Sequence, residues 1–324
     1  MNDISPALLP QRIECIAPGR YRISSESISA RLIRAYLRTL RAKRLMETAE
    51  RFAKVIKKQR KTGDAKPPRA LSNRFKINCK AMFGSKVYMI EPRDRSCART
   101  LIYIHGGGYV GNLAPLQWKI VEGLLARLDM RVIVPCYPLA PETDWNAGYK
   151  LIGTLYEWVI ARQSSTEVLI CGDSAGAGLA LGYAQKLVET RRPMPSGLIL
   201  FSPWLDLRTN NEEQEAFDAR DPLLGLPGLR WAAMKWAGHT ELDNPRLSPI
   251  FGSLAGLPPM FVASGTADLL HPDSRALVTK AEQECAELTY LEGEDMTHGW
   301  ALSPIPEAKA LFDLCALFVK RKLV

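Results

Sequence analysis

The chain has 324 residues, 47% of them apolar, enough for one large α/β domain with an appendage or for two small domains. Its seven cysteines (15, 79, 97, 136, 171, 285 and 315) are odd in number and never stand as C-x-x-C, which speaks against a disulfide framework or a zinc site and for a reducing, cytoplasmic setting. The net charge of +9 is uneven: Arg31 to Lys61 holds twelve Lys and Arg against Glu47 and Glu50, while the remainder carries 31 basic and 32 acidic residues.

The opening Met1-Asn-Asp-Ile-Ser-Pro lacks a basic region ahead of an apolar core, so no signal peptide is expected. No apolar run is long enough to span a bilayer. Residues 1–24 read as irregular, because Pro6, Pro10, Pro18 and Gly19 interrupt any regular element. From Glu26 to about Lys61 the pattern turns helical. Ile33, Leu37 and Leu40, then Leu45, Ala49, Phe52 and Ile56, recur at three- to five-residue steps between arginines and lysines. Such a stripe suits a membrane surface or nucleic acid. The commoner arrangement, expected here, is a solvated helix whose apolar face covers its own domain.

Gly63 to Pro68 reads as a linker. Phe75–Lys80 and Lys86–Glu91 follow as strands near a sheet edge, and Thr100–Ile104 as a clear strand running into His105-Gly-Gly-Gly-Tyr109. Helix Leu116–Leu128, strand Arg131–Pro135 and helix Trp145–Arg162 lead to strand Val168–Cys171. Beyond it come strands Gly197–Phe201, Met260–Ser264 and Leu288–Leu291, with helices Ser274–Glu284 and Glu307–Lys320. This alternation implies a mostly parallel sheet of about eight strands with helices on both faces. Chemistry then gathers at the carboxyl ends of the strands. Leu207 to Pro245 departs from the alternation: it carries Pro222 and Pro227 and contains Trp231, Met234 and Trp236. Left on the surface, these side chains would form an apolar patch. The segment is read as an excursion joining the N-terminal helix in a cap. The expected organisation is a cap part at 1–70, a catalytic domain at 71–206 and 246–324, and a second cap segment at 207–245.

Val168 to Cys171, Gly172-Asp-Ser-Ala-Gly176 and Leu179 to Val188 read as strand, turn and helix, the context of a G-x-S-x-G nucleophile elbow. Flanking glycines let the chain turn tightly enough to hold Ser174 at the tip. Ala175 then offers its N–H at a helix start, where developing negative charge is favoured. The spacing of Gly172, Gly176 and Gly178 is not that of a dinucleotide loop.

A serine nucleophile needs a base and an acid that orients it. Of the four histidines, His105 lies in a glycine loop, His239 in the excursion and His271 only three residues after Asp268. His298 comes last, after the final strand, where the chain order Ser…Asp…His puts the base. Two acids follow strands that could reach it, Asp268 and Asp206; Glu294 and Asp295 share its own loop, and Asp268 is favoured. In His105-Gly-Gly-Gly108 the glycines leave N–H groups unshielded, so that with Ala175 they can meet the oxyanion of a tetrahedral intermediate. His105 reads as a brace for the loop.

Taken together, these motifs resemble the bacterial hormone-sensitive-lipase-like esterases, the α/β-hydrolases that carry H-G-G-G. The resemblance runs from about Arg99 to the C-terminus. It includes Tyr137-Pro-Leu-Ala-Pro-Glu142, Ser202-Pro-Trp-Leu-Asp-Leu207, Leu257-Pro-Pro259, Gly265-Thr-Ala-Asp-Leu-Leu270 and His298-Gly-Trp300. It implies an α/β-hydrolase fold, Ser174 as nucleophile, Asp268 as acid and His298 as base. Gly107, Gly108 and Ala175 are implied as oxyanion donors, supported by His105 and Gly106, and Asp206 as part of a structural Ser-Pro-Trp motif. Three positions depart from the family: Pro138 stands for its usual Arg, Leu269 for a common Pro, and Pro272 displaces an acidic residue.

The expected activity is hydrolysis of short- to medium-chain carboxylic esters through an acyl-enzyme, with no metal or organic cofactor. Lactone hydrolysis and acyl transfer use the same chemistry; a non-catalytic ligand receptor would lack a triad member, and none is lacking. Tyr109, Trp204, Trp231 and Met234 are expected to line an apolar substrate pocket. The expected partner is a small hydrophobic ester, with no nucleic acid and no membrane span; a homodimer is left open.

Overall fold

The computed structural model describes Ile4 and residues 6–322. Strands β5 (Thr100–Ile104), β7 (Val168–Asp173) and β8 (Gly197–Phe201) are buried at every position. Side chains alternate across a strand, so continuous burial requires cover on both faces. Ile102 and Ile104 accordingly join one core, while Leu101 and Tyr103 join the other. The first core is covered by α5 (Trp145–Ile160), α6 (Ala175–Glu189) and α9 (His271–Gln283). The second is covered by α4 (Trp118–Leu125) and α10 (Pro306–Lys322).

Among the described residues the sheet has ten strands rather than about eight. The others are β1 (Glu14–Ala17), β2 (Arg20–Ile23), β3 (Phe75–Met82), β4 (Ser85–Pro92), β6 (Arg131–Pro135), β9 (Met260–Ala267) and β10 (Leu288–Thr297). Their order is β1-β2-β10-β9-β8-β7-β5-β6-β4-β3. Strands from β2 through β6 in this order are parallel, and each edge is closed by antiparallel pairing. The extra pair falls in residues expected to be irregular. Pro18 and Gly19 there do not break structure; they make the two-residue turn of the β1–β2 hairpin, with Gly19 at φ +68°. β2 then lies beside β10, where Tyr21 and Ile23 are fully buried.

The basic helical stretch divides into α1 (Ile28–Thr39), a 3₁₀ turn (Ala42–Met46) and α2 (Ala49–Lys61), with Arg41 left-handed at the break. Ser27 and Thr48 cap the two helices by accepting the N–H groups of Ala30 and Arg51. A short α3 (Arg69–Arg74) follows. The excursion folds as α7 (Glu212–Arg220) and α8 (Leu226–Ala237). It meets the N-terminal helices directly: the Phe52 ring stands edge-on to Trp231 at 5.7 Å, and the Lys43 N–H donates to Pro222 O at 3.0 Å. Among the described residues no helix is long and apolar enough to cross a membrane.

The turn from β7 into α6 depends on a close backbone approach. A Cβ on Gly176 would lie 2.1 Å from Ile104 O and 2.6 Å from His105 O. Both are backbone atoms of β5 and the loop after it, so neither can give way. Gly176→Ala is expected to lower stability by about 3 kcal/mol, the upper end of overpacking costs, read as a reduced urea midpoint at an unchanged m value.

Candidate active site

Four segments converge at the carboxyl ends of β5, β7, β9 and β10. Ser174 begins α6 at φ 53°, ψ −122°, a conformation that costs a non-glycine residue about 1–3 kcal/mol. The surrounding backbone holds it there. Ser174 N–H donates to Phe201 O at 2.8 Å, and Trp204 N–H donates to Ser174 O at 3.1 Å. Its Oγ lies 3.1 Å from Nε2 of His298. The other ring nitrogen, Nδ1, is 3.0 Å from both carboxylate oxygens of Asp268. Asp268 is wholly buried just past β9, and its Oδ1 also accepts the Leu270 N–H at 2.8 Å. Nδ1 therefore carries the proton in the neutral ring, and Nε2 faces the hydroxyl as an acceptor.

Burial disfavours an imidazolium, but the charge and hydrogen bond of Asp268, aided by Asp221 and Asp173, outweigh it. The pKa of His298 is raised from 6.5 to about 9. Asp221, from the turn after α7, is the second carboxylate at this spot. It accepts N–H groups of Leu223 and Leu224 on Oδ1 and of Leu269 on Oδ2. The excursion thus grips the residue next to Asp268. Burial, with the charge of Asp268 adding to it, pushes the Asp221 pKa up to about 6.

Asp173 organises the facing loop. Its Oδ1 accepts the Gly106 N–H at 2.9 Å and the Tyr103 hydroxyl at 2.6 Å, and Gln117 donates to its Oδ2 at 3.0 Å. A Cβ on Gly106 would stand 2.6 Å from Asp173 Oδ2 and 3.0 Å from Ser174 Cβ. Gly107 and Gly108 have φ of 116° and 61°. Among the described residues, the N–H groups of Gly107 and Gly108 have no acceptor, and Ala175, first residue of α6, has none within its helix. His105 is buried beneath this loop: its Nδ1 lies 2.7 Å from Gly106 O, its ring stacks on Tyr137, and burial lowers its pKa. From above, Arg60 of α2 donates to Val110 O and Ala140 O and pairs with Glu142. In this chain Arg60 is the guanidinium that binds the Tyr137-Pro-Leu-Ala-Pro-Glu142 segment.

Other sequence candidates lie elsewhere. Asp206 pairs with Arg208, and the Leu205 and Asp206 N–H groups both donate to Asp273. Asp295 pairs with Arg34. His271 bonds Ser264, and His239 is exposed. Three of the four expected pocket residues need correction. Tyr109 and Trp204 are enclosed and stack on one another at 5.7 Å, so they offer no surface to a ligand. Met234 is exposed and lines an outer groove with His239 and Leu242. Helical spacing explains this: two residues, or about 200°, from the buried Trp236, Met234 falls on the outward side of α8. Trp231 is half-buried against Phe52. The sequence alone does not mark Asp173 or Asp221 as site residues. The first occupies a variable position inside the elbow motif, and the second follows no spacing rule. Among the described residues no group of three His, Cys, Asp or Glu is arranged to hold a metal ion.

A family described as alpha/beta hydrolase fold matches residues 101–302. An esterase of Acinetobacter venetianus is 32% identical over 68% of this chain and 74% of its own length. An acetyl-hydrolase of Streptomyces hygroscopicus is 30% identical over 70% of this chain and 77% of its own. A crystal structure of an esterase from the bacterial hormone-sensitive lipase family superposes with a TM-score of 0.78 at 23% identity, covering 93% of this chain and all of that one. The chain belongs to the α/β-hydrolases. With relatives that are an esterase, an acetyl-hydrolase and a triacylglycerol lipase, it is a hydrolase of the carboxylesterase and lipase kind.

Replacing Asp221 separates its charge from its shape. Asp221→Asn keeps one acceptor oxygen but turns an amide N–H₂ on the other side, and it removes a negative charge that favours imidazolium at His298. The His298 titration midpoint, followed by ring-proton NMR, is expected to move to lower pH; an unmoved midpoint would show that Asp221 exerts no field there.

Proposed function

We propose that this protein hydrolyses carboxylic esters through an acyl-enzyme. Ser174 is the nucleophile, His298 the general base and acid, Asp268 the orienting carboxylate, and the N–H groups of Gly107, Gly108 and Ala175 the oxyanion donors. The observation that carries the reading is a single imidazole 3.1 Å from the Ser174 hydroxyl and 3.0 Å from both oxygens of a buried carboxylate. Neutral His298 takes the Ser174 proton at Nε2 as Oγ bonds to the ester carbonyl carbon. The negative charge that develops on the carbonyl oxygen meets donors that have no protein acceptor to give up. Collapse of the tetrahedral intermediate breaks the bond to the alkoxide, which leaves with the proton from Nε2. Water then attacks the acyl-serine, again giving its proton to Nε2. The acid departs as Ser174 recovers its proton.

In this reading α1, α2, α7 and α8 form the cap over the site. The contact of Phe52 on α2 with Trp231 on α8 supports it, as does the hold of Arg60 on the loop that follows β5. Trp231 and Phe52 would then face the acyl chain. Substrates are short- to medium-chain acyl esters, in keeping with an acetyl-hydrolase among the relatives. A panel of graded acyl lengths, with lactones and alcohol acceptors alongside, sets the preference.

A fluorophosphonate probe is expected to label the protein once, at Ser174. Ser174→Ala should abolish labelling and reduce kcat by about 10⁶-fold, as in other serine triads; persistent labelling would move the nucleophile elsewhere. The pH dependence follows from His298, which is protonated below its raised pKa of about 9 and useless as a base in that form. For p-nitrophenyl acetate, kcat/KM is expected to rise about tenfold per pH unit through the neutral range and level off on the alkaline side. A profile already flat at pH 7 would contradict the raised value.

A further inference from the structure

Ile28, Leu32, Tyr36 and Leu40 recur every four residues along α1 and its C-cap, and they are 76, 64, 61 and 57% exposed. At about 100° per residue their side chains fall within an arc of about 120°. Of the stripe read from the sequence, Ile33 and Leu37 are half-buried, Ile33 against the second core, while Leu40 is exposed; Ile28, Leu32 and Tyr36 form a further apolar row on the outside. α2 buries Phe52 and Ile56, whereas α1 fully buries only Ala30. Residues 28–45 contain six Arg and Lys and no Asp or Glu. Two of the six turn inward: Arg34 binds Glu26 at 2.6 Å and Asp295 at 3.1 Å, and Lys43 binds Asp218 at 2.8 Å. Arg31, Arg38, Arg41 and Arg44 are exposed, with Arg31 and Arg38 bordering the apolar arc. Arg31 is 3.7 Å from Glu26, and Arg44 is 3.8 Å from Glu47.

We propose that α1 is an interfacial helix that seats this enzyme on an anionic phospholipid surface. The apolar stripe enters the boundary between headgroups and acyl chains while the exposed arginines pair with lipid phosphates. The combination selects this partner. A nucleic acid would use the arginines but give four large apolar side chains nowhere to go. A second copy placed face to face would bring two arginine rows together. A neutral bilayer would leave the charge unmatched. The helix is also joined to the site's end of the sheet: Arg34 grips Asp295, three residues before His298, and a crevice is walled by Ala30 and Ile33 on one side and Met296 and Thr297 on the other. A seated α1 therefore sets the lipid surface beside the segment that delivers His298. Docking itself stands apart from the proposed triad, because it needs no chemistry.

The test is co-sedimentation of the full chain with vesicles of phosphatidylcholine and phosphatidylglycerol, or of phosphatidylcholine alone. Binding is expected to the mixed vesicles only, and to fall as NaCl is raised. The pair Leu32→Asp and Tyr36→Asp, and separately the pair Arg31→Glu and Arg38→Glu, should each weaken partitioning by about tenfold or more. Both should leave hydrolysis of soluble p-nitrophenyl acetate at the wild-type rate, since none of these side chains touches the site. The proposal is overturned if mixed vesicles do not bind the protein at low salt, or if both pairs of substitutions leave binding unchanged. It is equally overturned if sedimentation velocity reveals a dimer that Leu32→Asp with Tyr36→Asp dissolves, which would give the face to a second copy.

Discussion

A carboxylate with no solvent contact must be answered by its surroundings, and Asp268 sets this requirement at the end of β9. The answer is an imidazole and one backbone amide. The local field is crowded, because Asp221 lies on the same side and Asp173 contributes from beneath the elbow. Three acids acting on one imidazole explain why His298 holds a proton so strongly despite being buried, an environment that alone would strip it away. The alkaline shift is thus led by Asp268, with Asp221 and Asp173 adding to it from two further segments of the chain.

The same assembly joins parts of the chain that are remote in sequence. Asp221 reaches from the excursion to the backbone of Leu269, and Arg60 reaches from α2 to the carbonyls of Val110 and Ala140. Each is a charged side chain whose partners include main-chain groups, so each fixes a loop path rather than a side-chain rotamer. The helices above the sheet and the loops at its rim are therefore mechanically one unit. Movement of α2 or α7 would be felt at the glycine loop or at Asp268.

What was legible in the sequence was what backbone sterics dictate. Gly176 must be glycine because α6 nearly touches β5, and Gly172 because the first turn of α6 folds back on the end of β7; requirements that strict leave a motif. The parallel strands were legible because burial on both faces erases polar alternation. Pro18-Gly19 was misread because the residues that interrupt a helix also build a hairpin, and only pairing with β10 distinguishes the two. The spacing of Ile33 and Leu37 marks the side of α1 that meets the domain, whereas the second apolar row of Ile28, Leu32 and Tyr36 is visible only once the helix is placed. Asp221 left no trace because its role comes from tertiary proximity, and Tyr109 and Trp204 looked like pocket residues because large aromatics suit a cavity wall and a core equally.

The hairpin carries a consequence for how the chain comes together. β2 pairs with β10 across some 270 positions, so the first strands emerge from the ribosome long before the strand they sit against. Until then Tyr21 and Ile23 have no partner surface, and α1, whose N-cap Ser27 is held by Glu307 of α10, has no anchor. The sheet between β3 and β9 can assemble during synthesis, whereas the β2 edge closes only after β10 is made. Completion of that edge is thus a late event that depends on two segments some 270 positions apart.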